Sequence, residues 1–195
     1  MEFSNRFESP MAAFPCFFWT SSQTRMFSLL FFAVLCASCL AKPALVHYSY
    51  SNAVGGGSGN AFSLNGKGRI TSIRLWEVPN AYITGIQLRY ENIWTPRAGR
   101  YYGGTHELNL FDGEVIVQIS GKYYSNYIYQ LIFLTSRGRS LIVGQPIRDS
   151  FNFYPIHVDA ELRMLSGRVN SAGITALAAH WGAVYMHECN STMNN

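Results

Sequence analysis

The sequence predicts an all-β domain built from a repeated sheet unit, and three observations predict it. Apolar and polar residues alternate from Val46 onward instead of recurring three and four apart. Turn dipeptides interrupt the alternating runs. Several runs also open alike, which is the trace an internal structural repeat leaves in a chain.

The runs ITSIRLW from Ile70, EVIVQIS from Glu114 and QLIFLT from Gln130 read as strands, since every second side chain is apolar and can face a core. Turns are expected at Asn65-Gly66, Asp112-Gly113, Arg137-Gly138 and Ser166-Gly167, and Lys122 is read as following a turn at Ser120-Gly121. No stretch reads as an amphipathic helix; GITALAAH comes nearest, but it opens on Gly173 and a β-branched pair. Ile70-Thr71, Ile83-Thr84 and Ile174-Thr175 begin their runs alike, and the run from Tyr129 has the same outline. Short strands recurring within one chain suggest a sheet unit closed on itself. An immunoglobulin-type sandwich is the alternative, without its Cys…Trp…Cys signature.

The chain has 195 residues, enough for one domain or two small ones. With 48% hydrophobic residues and 13% charged, it can bury a core and is not a disordered chain. The run FSLLFFAVLCASCLA over 27–41, preceded by Arg25 and ending in small residues, reads as a secretory signal. A hydrocarbon core takes about 20 apolar residues, so this run is too short for a transmembrane anchor. Residues 1–25 have no strand or helix period and precede Met26, a second possible start; they read as an extended leader or an upstream start. The expected division is 1–41 removed, 42–187 folded and 188–195 an exposed tail.

Cys16, Cys36 and Cys39 fall in the leader, which leaves Cys189 for an intermolecular disulfide or a free thiol. Asn190 opens an Asn-Ser-Thr sequon and is a candidate glycosylation site on a secreted tail. The net charge of +4 survives removal of the leader, which takes Glu2 and Glu8 with Arg6 and Arg25. No run of lysine or arginine favours nucleic acid, and a mild positive field favours anionic partners only weakly.

Read in order, Gly55-Gly56-Gly57-Ser58-Gly59, ITSIRLW, GGTHELNLFDGEVIVQISGKYY, LIFLTSRGRSLIVG and LSGRVNSAGITALAAHW resemble the jacalin-related lectins. Within that family the likeness is greatest to the secreted animal members of the zymogen granule protein 16 type, and it spans 48–185. The resemblance implies a β-prism I: three four-stranded Greek-key sheets about a pseudo-threefold axis, with a shallow carbohydrate site among loops at one end. It also implies secretion, with a place outside the cell or in the lumen of a secretory granule. No metal or other cofactor is implied.

The site that the resemblance implies has three parts. A glycine loop at 55–59 supplies Gly56, Gly57 and Ser58. A second segment supplies Lys122, Tyr123 and Tyr124. A late loop supplies Asn170, Ser171, Ala172, Gly173 and Thr175. Glycines let backbone amides approach sugar hydroxyls, and a carboxylate that takes two hydroxyl donors completes such a site. Here the late loop departs, one residue longer and with Thr175 where the family has an aspartate. Thr71 and Thr84 also follow an isoleucine, so threonine reads as the scaffold's ordinary residue at this place. Charge-assisted bonds are worth about 1.5–3 kcal/mol against roughly 0.5–1.5 for neutral ones, so affinity for a mannose-type sugar should fall at least about tenfold. Lys122 and Arg168 could still meet a sulfated glycosaminoglycan. In their plainer readings Lys122 is a solvated hairpin lysine, the tyrosines are strand residues, and His180 is a hydrogen-bonded strand residue. Trp76, Trp94 and Trp181 read as core or sheet-surface packing.

Neither a nucleophile and base nor a metal cluster is evident, and Asp112 and Glu114 flank a turn glycine, so no enzyme is expected. Two functions remain: a secreted glycan-binding protein with an altered site, or a β-prism that has lost sugar binding and works through protein contacts or packaging in granules.

Overall fold

A computed structural model describes residues 44–185 of the chain, with side chains described for 48–183. Its regular structure is all strand, in three antiparallel sheets. The first holds β4 (Ile70–Glu77), β5 (Ile83–Tyr90) and β8 (Gly104–Asn109), with the short β6 (Ile93–Trp94) and β7 (Ala98–Gly99) sharing one edge beside β5. The second holds β9 (Ile116–Tyr123), β10 (Ile128–Thr135), β11 (Ser140–Gly144) and β12 (Asp149–Phe153) in the order β11-β10-β9-β12. The third combines early strands, β1 (Ala44–Tyr50), β2 (Val54–Gly55) and β3 (Asn60–Leu64), with late ones, β13 (Ala160–Val169) and β14 (Ile174–Tyr185).

In the second sheet a fourth strand returns beside the first of three hairpin-connected ones, which is a Greek key. The other sheets repeat the plan: β4, β9 and β13 are equivalent, as are β5, β10 and β14. The expected β-prism is therefore present, with two of its edge strands interrupted. Pro96 lies in the break between β6 and β7, where a residue without an N–H cannot extend the ladder.

Alternation puts one face of each sheet inward. Ile73, Leu75, Ile86 and Leu88 come from the first sheet, Ile119, Leu131 and Phe133 from the second, and Leu165, Leu177, Ala179 and Trp181 from the third; all are fully buried. Side chains of the larger kinds among them contribute about 1.5–3 kcal/mol each when taken out of water. Trp181 also donates from its indole nitrogen to Ser51 Oγ at 3.1 Å.

The structure corrects three expectations. Ser166-Gly167 and Ser120-Gly121 are not turns; they lie inside β13 and β9. A Cβ on Gly167 would stand 2.0 Å from the Ala176 carbonyl oxygen, and one on Gly121 would stand 1.9 Å from that of Gln130. Glycine is there for close strand approach, and Phe62 and Phe151 on the neighbouring strands cover the gaps. Ile70-Thr71 is also not a third copy of Ile83-Thr84 and Ile174-Thr175. It opens β4, the antiparallel partner of β5, whereas Ile83, Ile128 and Ile174 open the equivalent strands. The turns at Asn65-Gly66, Asp112-Gly113 and Arg137-Gly138 all lie between strands as expected.

Candidate functional site

The three equivalent hairpin turns, 78–82, 124–127 and 170–173, share one end of the prism with the loops 55–59, 99–103 and 144–148. Of these, 55–59, 124–127 and 170–173 are in mutual contact. A Cβ on Gly56 would fall 1.7 Å from the Ser125 carbonyl oxygen, so only glycine lets the first loop lie against the second turn. Gly59 packs as closely on Val169, 2.0 Å from its oxygen by the same measure. The Asn170 amide group donates to Tyr127 Oη at 3.3 Å, joining the late loop to the same turn.

Thr175 has no exposed surface. Its hydroxyl donates to the Ser58 carbonyl oxygen at 2.6 Å, so this predicted contact residue shapes the glycine loop from beneath. Asn170 is likewise occupied with shape: its Oδ1 accepts from the Ala172 and Gly173 amides at 2.9 and 3.0 Å. Gly173 is buried against Ile83 and the Tyr82 ring. Gly57 donates weakly to the Thr175 carbonyl oxygen at 3.5 Å, and its loop is braced by Arg168, which donates to Gly59 O at 2.7 Å. In the equivalent loops Arg100 and Gln145 donate to the matching carbonyl oxygens of Thr84 and Tyr129 at 2.8 Å. The Gly56 amide holds that place here and has no acceptor among the described residues.

The surface left for a ligand is made of that amide, Ser58, Ser171, Ala172 and Tyr124, with Ser125 and Asn126 beside them. No acid occurs in these three segments, while Arg168 and Arg148 stand exposed next to them. The arrangement offers hydrogen-bond donors and hydroxyls without a carboxylate.

Lys122 and Tyr123 do not belong to that surface. Lys122 lies on the outer face of β9 and donates to Ser150 Oγ at 2.8 Å. Tyr123 turns inward, edge-on to Phe151, and packs on the core. Arg168 is on β13, so the two cations expected to act together sit on different sheets with separate partners. Both ring nitrogens of His180 are hydrogen-bonded, Nε2 with the Ser166 hydroxyl at 2.7 Å and Nδ1 with the Tyr48 hydroxyl, one nitrogen donating and the other accepting in the neutral ring, and burial lowers its pKa. Trp76 and Trp94 lie on the outer face of the first sheet, against Tyr101 and beneath Arg74 respectively. Cys189 and Asn190, and the proposed leader, lie outside the described residues. No group of His, Cys, Asp or Glu among the described residues could hold a metal ion.

Two participants were missed. Tyr82 stacks on Tyr127 with ring centroids 4.0 Å apart and supports both turns. Arg148 stacks on Tyr124. Aligning GGGSG from Gly55, GRYYG from Gly99 and GQPIR from Gly144 would have brought out the second of these.

Comparison with known proteins agrees with this architecture. A family model described as Jacalin-like lectin domain matches residues 51–180. Zymogen granule membrane protein 16 of Rattus norvegicus is 41% identical over 170 residues, covering 85% of this chain and 99% of the relative. The Homo sapiens protein of that name is 39% identical over 168 residues, covering 84% and 98%. Among solved structures, the prostate-specific WGA16 glycoprotein lectin superposes with a TM-score of 0.62 at 30% identity, over 69% of this chain and 99% of that one. Malaysian banana lectin, at 20% identity and a TM-score of 0.58 over 71% and 98%, shares the fold. With that sequence match extending from before β2 into β14, and with three Greek-key sheets closing on one core, the chain belongs to the jacalin-like lectin family.

Proposed function

We propose that this protein binds glycans without catalysis, at the surface formed by 55–59, 124–127 and 170–173, and that it favours sulfated over mannose-type chains. The observation that carries the reading is the Gly56 amide: it has no described acceptor, and it lies beside exposed Ser58 and Ser171. Such groups suit saccharide hydroxyls, which both donate and accept. The absence of a carboxylate in these segments removes the charge-assisted clamp a neutral sugar would use, and the nearby arginines favour an anion.

The protein acts after secretion, either outside the cell or in a granule lumen. That placement is supported by the apolar run at 27–41 and by the naming of its relatives after the zymogen granule membrane. On this reading 42–187 is the lectin domain, and the tail carries a glycan on Asn190 and a thiol, Cys189, open to pairing with another chain.

The test is a glycan array probed with the purified protein at two salt concentrations. Binding to sulfated chains that weakens with salt is the expected result, because exposed charge pairs are screened. Binding confined to neutral mannosides would overturn the preference, and a folded protein that binds nothing would overturn glycan recognition. One observation favours the second reading, a β-prism that packages or contacts proteins: Thr175 is buried and its hydroxyl is already used.

A further inference from the structure

The loops 55–59, 99–103 and 144–148 begin and end alike, although the first alone has a further positive φ in its middle, at Gly57. Each opens on a glycine at positive φ, namely Gly55, Gly99 and Gly144, packed on the carbonyl of Thr175, Thr84 and Tyr129 respectively. Each also closes at positive φ, and there the copies differ: Gly59 at 85°, Gly103 at 93° and Arg148 at 82°. Glycine takes that conformation freely, whereas a side chain is strained in it. The third loop therefore keeps an arginine where the same scaffold twice uses glycine.

The arginine's contacts do not account for that strain. Its guanidinium carbon lies 5.0 Å from the centroid of the Tyr124 ring and 5.8 Å from that of Tyr129. Tyr124 is 44% exposed, and stacking on an exposed ring is a weaker effect than the cost of a left-handed side-chain residue. Arg69, Arg74, Arg139 and Arg163 each hold a glutamate, but no described carboxylate pairs with Arg148. Its planar N–H donors remain available to fork onto two oxygens of an anion. Tyr124 directly precedes Ser125, the residue on which Gly56 packs, so the stacked pair borders the glycine loop.

We infer that Arg148 and Tyr124 form an anion-reading subsite at the rim of the loop surface, taking the sulfate or carboxylate of an acidic saccharide. The inference rests on the glycan-binding reading and adds the residues that select the ligand. Tyr124 holds the guanidinium in place and offers the saccharide ring an aromatic surface. Lys122, tied to Ser150, has no part in it.

The experiment compares wild type, Arg148→Gly and Arg148→Lys by calorimetry and thermal unfolding. Three probes separate the chemistry: a heparin hexasaccharide, a carboxylate-only oligogalacturonide and methyl α-mannoside. Arg148→Gly should lose at least about tenfold in affinity for whichever acidic probe binds. Any affinity for the mannoside should fall less than that for the acidic probe, and the variant should melt at the same or a higher temperature, because the strain is gone. Arg148→Lys, which keeps the charge but not the fork, should fall between. Undiminished acidic-probe binding by Arg148→Gly overturns the inference, as does wild type that takes only the mannoside. A lowered melting temperature for Arg148→Gly also overturns it, since the arginine would then be held for packing. Wild type that takes none of the probes overturns the glycan reading and this inference with it.

Discussion

The Thr175 hydroxyl donates to the carbonyl oxygen of Ser58 at 2.6 Å, beneath the glycine loop. The equivalent Thr84 donates to Tyr102 O at the same distance, although its loop has a different sequence. The threonine is thus a device of the scaffold, used twice to tie a strand to the loop that crosses its end. Thr175→Val should cost about 1 kcal/mol, the usual worth of one neutral hydrogen bond. It should also weaken glycan binding, though Thr175 has no surface of its own. Thr175→Asp should not create a mannose site, because an ionised carboxylate has no proton to give the Ser58 carbonyl and would be buried beside it unpaired. Thermal unfolding and titration with methyl α-mannoside check both variants. A well-folded aspartate variant that gains mannoside binding would show that the loop can be rebuilt around an acid.

Gly56 and Gly113 should respond differently to alanine. Gly56 has no room for a Cβ, since Ser125 O would be 1.7 Å away, so Gly56→Ala must part the first loop from the 124–127 turn. Glycan binding should fall at least about tenfold, with a stability loss of roughly 1–3 kcal/mol typical of overpacking. Gly113 sits at a φ of 71° with nothing within 4 Å of its would-be Cβ. Gly113→Ala should cost only about 1–2 kcal/mol of left-handed strain and leave glycan binding alone. Equal loss of binding in the two would count against a site at the glycine loop.

The stack of Tyr82 on Tyr127 joins two of the hairpin turns, and the hydroxyl of Tyr127 receives the Asn170 amide group at a long 3.3 Å. Tyr127→Phe should therefore change little, since it gives up one weak hydrogen bond. Tyr82→Ala forfeits the ring pair, worth about 0.5–1.5 kcal/mol beyond the area it buries, and uncovers Gly173. It should loosen the late loop and lower glycan affinity more than Tyr127→Phe does. Amide exchange at Ala172 and Gly173, measured in both variants, reads this directly.

Strand positions were legible because one side of each sheet is buried, and burial imposes a period of two on the sequence. Interior glycines were not. A glycine that permits close approach and one that makes a turn look alike until a neighbour is placed beside them, as Gln130 is beside Gly121 and Ala176 beside Gly167. Of the candidate site, the meeting of the glycine loop with the late loop was legible, and the two do converge. Lys122 and Tyr123 are neighbours in sequence but alternate across β9, so Lys122 meets Ser150 on the outer face while Tyr123 packs on the core, and neither reaches the loop surface. Arg148 shows in the sequence only when the three loops from Gly55, Gly99 and Gly144 are aligned, and its backbone angle is what gives the difference a meaning.

Glu114 sits at the base of the hairpin that β9 and β10 form, with its side chain buried. Desolvation pushes its pKa up, but hydrogen bonds from the Phe111 amide and the Thr135 hydroxyl, with Arg139 and Arg137 nearby, outweigh this and hold it below the ordinary 4.5. A carboxyl whose pKa is lowered on folding contributes stability above its unfolded value and loses it as the pH falls through the folded one. The contribution is therefore full near neutrality and fades below about pH 4.5. Glu114→Gln keeps the shape but leaves Arg139 without its charge partner and the Phe111 amide with at best a neutral acceptor. It should cost about 1–3 kcal/mol at neutral pH. Denaturant unfolding of wild type and Glu114→Gln at pH 7 and near pH 3 should show the gap narrowing in acid. A gap of the same size at both would mean that the loss comes from the amide's geometry and not from the missing charge.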